Sequence, residues 1–210
     1  CYNIDNENCH IYGANDTAPD NYSHVQFNSA WLTFKKCAYF DADGTAKRSR
    51  GLAGRHGYRI TVENCLFMGV DDHWGHDYVL RDMVLVNALG LSGGGAYLEN
   101  ITALERMFGV RVDTPYNDGK LIMRNCKCYG VLIDAQRANY PNKFTRYKLF
   151  DEIDIECDVY TSGKTIAQII KTTDASDLDE SFHNTVGHFK LRVFQDSDNI
   201  ISIWANGYSP

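Results

Sequence analysis

The stretch from Tyr58 to Gln136 carries one short pattern four times: ENCLFMGVDDH (63–73), RDMVLVNALGLSGG (81–94), ENITALERMFGVRVD (99–113) and RNCKCYGVLID (124–134). Each copy contains a glycine followed by an apolar residue, at Gly69-Val70, Gly90-Leu91, Gly109-Val110 and Gly130-Val131. The glycines recur after 21, 19 and 21 residues (69 to 90, 90 to 109, 109 to 130). A period near 20 without a helical heptad predicts stacked β-coils, each too small to bury its own apolar face and completed by its neighbours.

Within a strand, successive side chains point to opposite faces. Val70, Leu91, Val110, Val112, Val131 and Ile133 share one parity, expected to be the interior. The other parity carries Asp71 and His73, Ser92, Arg111 and Asp113, then Leu132 and Asp134. A column of mixed polar chemistry on one sheet face is what a binding or catalytic groove requires; it is equally what a solvated sheet face contains.

The cysteines and asparagines follow the same repeat. ENCHIYG (7–13), KKCAYFD (35–41), ENCLFMG and RNCKCYG align residue for residue, so Cys9, Cys37, Cys65 and Cys126 occupy one position and are expected to stack as buried, reduced thiols. Seven cysteines leave at least one unpaired, and Cys126 with Cys128 lacks the second half of a zinc motif. Asn8, Asn64, Asn100 and Asn125, with Asp82 substituting once, are expected at a bend, their amides bonding from coil to coil.

Composition sets outer limits. At 44% hydrophobic and 23% charged the 210-residue chain has ordinary globular material for a core. Its net charge of −6 and pI near 5.6 argue against nucleic acid or an anionic membrane as partner, and no apolar window approaches the length that spans a bilayer. The chain opens on Cys1 inside a repeat, as expected of a processed product or a piece of a longer protein. Lys47, Arg48, Arg50 and Arg55, in the glycine-rich excursion 41–57, are candidates for an anionic ligand or for a solvated loop. DDHWGHDY (71–78) matches no established ligand spacing, so no metal and no cofactor are expected. His73 and Trp74 there read instead as catalytic or sugar-stacking groups.

After Ala138 the pattern changes. FDEIDIECDVY (150–160) alternates strictly, with Ile153, Ile155, Cys157 and Val159 against Asp154, Glu156 and Asp158, as in a half-exposed antiparallel strand with one acidic face. Residues 1–137 are expected to form the coils, and 138–210 a β-rich cap or extension.

Asparagine and cysteine ladders, glycine-led strands and coils of about 20 residues resemble the right-handed parallel β-helix of the pectate-lyase-like superfamily, particularly bacteriophage tailspike depolymerases. The resemblance covers roughly residues 1–136 and implies an all-β solenoid, extracellular or on a virion surface, assembled as a parallel homotrimer. It implies a polysaccharide partner such as capsule or O-antigen. It does not choose among hydrolase, lyase and inert spike, because such folds host many chemistries. The outward column supplies two catalytic schemes. Asp113 and Asp134, expected at equal register about 4.8 Å apart, suit a glycosidase carboxylate pair. A lyase uses Arg111 against a uronate and His73 as base. Asp71, Trp74 and Ser92, with Arg111, are the expected substrate contacts. The alternative is a non-catalytic glycan-binding or structural spike.

Overall fold

The computed structural model describes residues 2–7, 10–12, 25–27, 30–40, 51–55, 57–66, 69–73, 75–91, 95–111, 119–136, 152–160, 170–172, 186–194 and 200–206. It is all-β over these residues. The strands are β1 (Tyr2–Glu7), β2 (His10–Tyr12), β3 (Val25–Phe27), β4 (Ala30–Lys35), β5 (Ala38–Phe40), β6 (Gly51–Arg55), β7 (Tyr58–Glu63) and β8 (Gly69–His73). They continue as β9 (His76–Leu91), β10 (Ala96–Arg111), β11 (Lys120–Cys128), β12 (Val131–Gln136), β13 (Glu152–Tyr160), β14 (Ile170–Thr172), β15 (Val186–Phe194) and β16 (Ile200–Asn206).

Two rows of parallel strands organise the chain. The first runs β1-β4-β7-β9-β10-β11-β13-β15, with β16 added antiparallel at its end. The second runs β3-β6-β8-β9-β10-β12-β14. The 16-residue strands β9 and β10 belong to both rows, their first halves to one and their last residues to the other. Each repeat therefore returns to the same two rows.

Apolar residues in register form the core. Phe34, Val62, Leu80, Leu98, Met123, Ile155 and Phe189 stack as one column across seven strands, all buried. Leu85, Ala103, Cys128, Val159 and Val193 form another. In the second row, Leu52, Val70, Leu89, Phe108 and Ile133 do the same. No single repeat encloses these side chains; stacking removes them from water, at roughly 25 cal/mol per Å² of apolar surface.

The bend expected from the asparagines is present. Asn64, Asp82, Asn100 and Asn125 have φ of 49°, 55°, 55° and 50°, the left-handed region that these short polar side chains tolerate. Asn100 Nδ2 donates to Asp82 Oδ1 at 2.7 Å, and Asn125 Nδ2 to Asn100 Oδ1 at 2.7 Å. Beside this corner Cys37, Cys65 and Cys126 are buried and free, as are Cys128 and Cys157, while Cys9 lies outside the described residues. Burial pushes the Cys65 and Cys126 thiols up to about 11 and raises Cys157 well above the ordinary range.

The exposed face of the first row carries an ordered charge column. Glu7, Lys35, Glu63, Arg81, Glu99 and Arg124 are successive register partners, alternating in sign at every step. Arg81 Nε donates to Glu99 Oε2 at 3.0 Å, and Lys190 Nζ to Glu156 Oε1 at 2.9 Å farther along. A slip by one strand residue would put every member on the buried face, so the column and the core specify the same register.

The parallel row continues past residue 138. Glu152–Tyr160 has its acidic residues on the more exposed face, as the alternation implied, but pairs parallel with β11 and β15 rather than antiparallel. Its carboxylates meet cations in adjacent strands: Glu152 with Lys120, Asp154 with Arg124, Asp158 with Arg192. Strict alternation marks a half-exposed strand and says nothing about strand direction, which is why the antiparallel expectation failed.

Candidate functional site

The expected outward column lies on the second row. With Leu52, Val70, Leu89, Phe108 and Ile133 as the buried reference, the next residue along each strand belongs to the opposite face. Register places Ala53, Asp71, Gly90, Gly109, Asp134 and Lys171 side by side in successive strands. Two residues on, Arg55 pairs with His73, and Arg111 with Gln136. Asp71, His73, Arg111 and Asp134 thus share one sheet face. Trp74, Ser92 and Asp113, with Lys47, Arg48 and Arg50, lie outside the described residues.

The register differs from the one expected. Asp134 is opposite Gly109 rather than at equal register with Asp113, which lies outside the described residues. Asp71 and Asp134 are three ladder steps apart, roughly 14 Å along the backbone. The four glycines fall into two structural classes. Gly90 pairs with Gly109 and with Asp71, inside the row. Gly69 and Gly130 sit where the backbone of a neighbouring strand approaches: a Cβ on Gly69 would be 2.1 Å from the Asn87 carbonyl oxygen, and one on Gly130 2.1 Å from that of Glu105. Two physical demands for glycine looked like one sequence motif.

The face is also less solvated than its polar residues implied. Met107 is flanked by Ala88 and Leu132, and all three are fully buried. Leu132, expected outward on a solvated face, is thus enclosed. Parallel sheets are commonly covered on both faces, and here Gly90 and Gly109, the middle members of the Asp71 to Asp134 column, are buried as well.

One contact to this column was not foreseen. A one-residue bulge between Ala103 and Arg106 breaks the register of β10 against β9. The half-buried Arg106 guanidinium then lies against Gly109: a Cβ there would be 2.9 Å from Cζ and 3.1 Å from Nε and Nη1. The bulge immediately precedes the arginine, and the missing side chain at 109 leaves room for its guanidinium. In the sequence, ERMFG shows an arginine three residues before a glycine and no sign of the bulge.

By residue type, the register positions of this column are held by Arg55, Asp71, His73, Arg111, Asp134 and Lys171, on a chain whose net charge is −6. Among the described residues no three His, Cys, Asp or Glu side chains converge on a metal position. No family model, curated protein or solved structure matches the chain.

Proposed function

We propose that this chain is a right-handed parallel β-helix from an extracellular or virion-surface polysaccharide depolymerase, assembled as a homotrimer, with the glycan laid along the second row. The observation that carries this reading is the placement of Asp71, His73, Arg111 and Asp134 on one face, with Arg106 seated over Gly109 among them. A rigid parallel row holds such groups at fixed spacing without help from loops.

The register favours elimination over hydrolysis. A glycosidase needs two carboxylates flanking one bond, about 5 to 9.5 Å apart, and the backbones of Asp71 and Asp134 are three ladder steps apart, roughly 14 Å. Elimination needs one base and a cation against the uronate carboxylate. His73 removes the proton beside that carboxylate, Arg111 stabilises the charge that develops, and the glycosidic oxygen leaves with a proton from solvent as the carbon–carbon double bond forms. His73 and Arg111 are two ladder steps apart, roughly 10 Å along the backbone, within reach of one sugar unit when arginine extends.

Incubation with polygalacturonate, alginate, hyaluronan and neutral dextran tests this. New reducing ends with ultraviolet absorbance from an unsaturated uronate support the lyase; reducing ends without that absorbance make it a hydrolase. The second reading, a non-catalytic glycan-binding spike, is supported by the register that sets Gly109 rather than a carboxylate against Asp134, and predicts retention of glycan with neither signal.

A further inference from the structure

We propose that Trp31 and Tyr58 form a stacking platform for a pyranose ring at the corner where the second row hands over to the first. This rests on the reading of the adjoining face as a glycan groove and assigns that groove an end.

Each repeat has two corners that use left-handed backbone. At the first, the occupants suit the conformation: Asn64, Asp82, Asn100 and Asn125, with Lys36 (φ 52°) as the exception, tied to Glu7 at 3.2 Å. At the second corner the occupants are Trp31 (φ 58°), Arg59 (φ 55°) and Asp77 (φ 54°). They are equivalent, each one residue past the aligned set Ala30, Tyr58 and His76. For tryptophan and arginine this backbone is a steric outlier, with Cβ crowded against the carbonyl, and glycine or asparagine would relieve it. Strain kept at such positions points to what the side chains offer.

What they offer is aromatic surface beside polar groups. Trp31 is 41% exposed and Tyr58 36%, in adjacent strands. The Arg59 guanidinium stands 5.0 Å from the Tyr58 ring centroid, covering one ring face and steadying it. The next repeat supplies exposed Asp77 and half-buried His76, whose backbone nitrogen donates to the Gly57 carbonyl at 2.8 Å and clips the two corners together. A pyranose presents a C–H face that packs on aromatic rings and a rim of hydroxyls that bond to carboxylate and imidazole. Tyr58 follows Arg55 by three residues and His76 follows His73 by three, so the corner adjoins the Arg55 and His73 positions of the second row.

The test uses the full chain against an array of neutral and carboxylate-bearing oligosaccharides, followed by calorimetry and tryptophan emission on those retained. Trp31→Phe is expected to keep binding but lose most of the ligand-induced emission change. Trp31→Gly and Tyr58→Ala are expected to weaken binding by at least ~10-fold. Trp31→Gly should also melt no lower than the parent, because glycine relieves the left-handed strain. Undiminished binding by both Trp31→Gly and Tyr58→Ala overturns the platform while leaving the groove intact. A Trp31→Gly chain that fails to fold makes Trp31 a packing residue and also overturns it. If the parent retains no glycan, the groove reading falls and the platform with it.

Discussion

Asp134 stands opposite Gly109 in the parallel ladder, and the Arg106 guanidinium lies on that same glycine. A carboxylate position and a cation are thus brought to one point of the second row, although the sequence separates them by 28 residues. This register sets a glycine rather than a carboxylate against Asp134, and in the proposed elimination His73 is the base. His73→Gln is therefore expected to lower eliminative turnover by ~100-fold or more, while Asp134→Asn retains most of it. Initial rates from the absorbance of the unsaturated product on a confirmed substrate decide between them. The reverse ranking would restore Asp134 to the chemistry.

The two glycine classes make opposite predictions. In Gly109→Ala the new methyl meets the far end of a flexible arginine, which moves aside, so the chain should stay within ~1 kcal/mol of the parent while losing glycan affinity. In Gly130→Ala the methyl meets the backbone carbonyl of Glu105, and a loss of ~2 kcal/mol or more is expected. Urea titrations of both variants provide the check.

Asn100 donates to Asp82, accepts from Asn125 and holds a left-handed backbone. Asn100→Gly removes the bonds and keeps the backbone comfortable; Asn100→Ala loses both. Alanine should be the more destabilising by about 1 kcal/mol, with glycine itself costing about 1 kcal/mol against the parent. Equal stability of the two variants would show that the corner imposes no left-handed demand.

Burial raises the Cys65 and Cys126 thiols from 9.0 to about 11. The folded chain thus holds these protons more tightly than the unfolded chain. Their contribution to stability is fully present below pH 9 and is lost as pH rises towards 11. The urea midpoint should fall across that window, and native thiols at pH 7 should label with an aromatic disulfide reagent only on unfolding. Rapid native labelling of Cys65 or Cys126 would contradict the stacked column.

Much of the architecture was legible in residue types. Asparagine at 64, 100 and 125 and cysteine at 37, 65 and 126 announce a repeated bend beside a narrow buried slot, because few side chains tolerate left-handed backbone and few small ones suit that interior position. The all-β class and the interior at Val70, Leu91 and Ile133 follow from short-range alternation, which depends only on the period of a strand.

Register between strands was not legible. It depends on how many residues each repeat spends between its rows, and that number varies. The charge column Glu7, Lys35, Glu63, Arg81, Glu99 and Arg124 advances by 28, 28, 18, 18 and 25 residues, so no fixed period reveals it. The same variation puts Asp134 opposite Gly109, against which the Arg106 guanidinium lies. The sequence by itself determined which residues bend, which are buried in most strands, and that strands stack. Only the tertiary structure decided which residues meet across strands and where a parallel sheet is covered on both faces, because those depend on contacts between segments far apart in the chain.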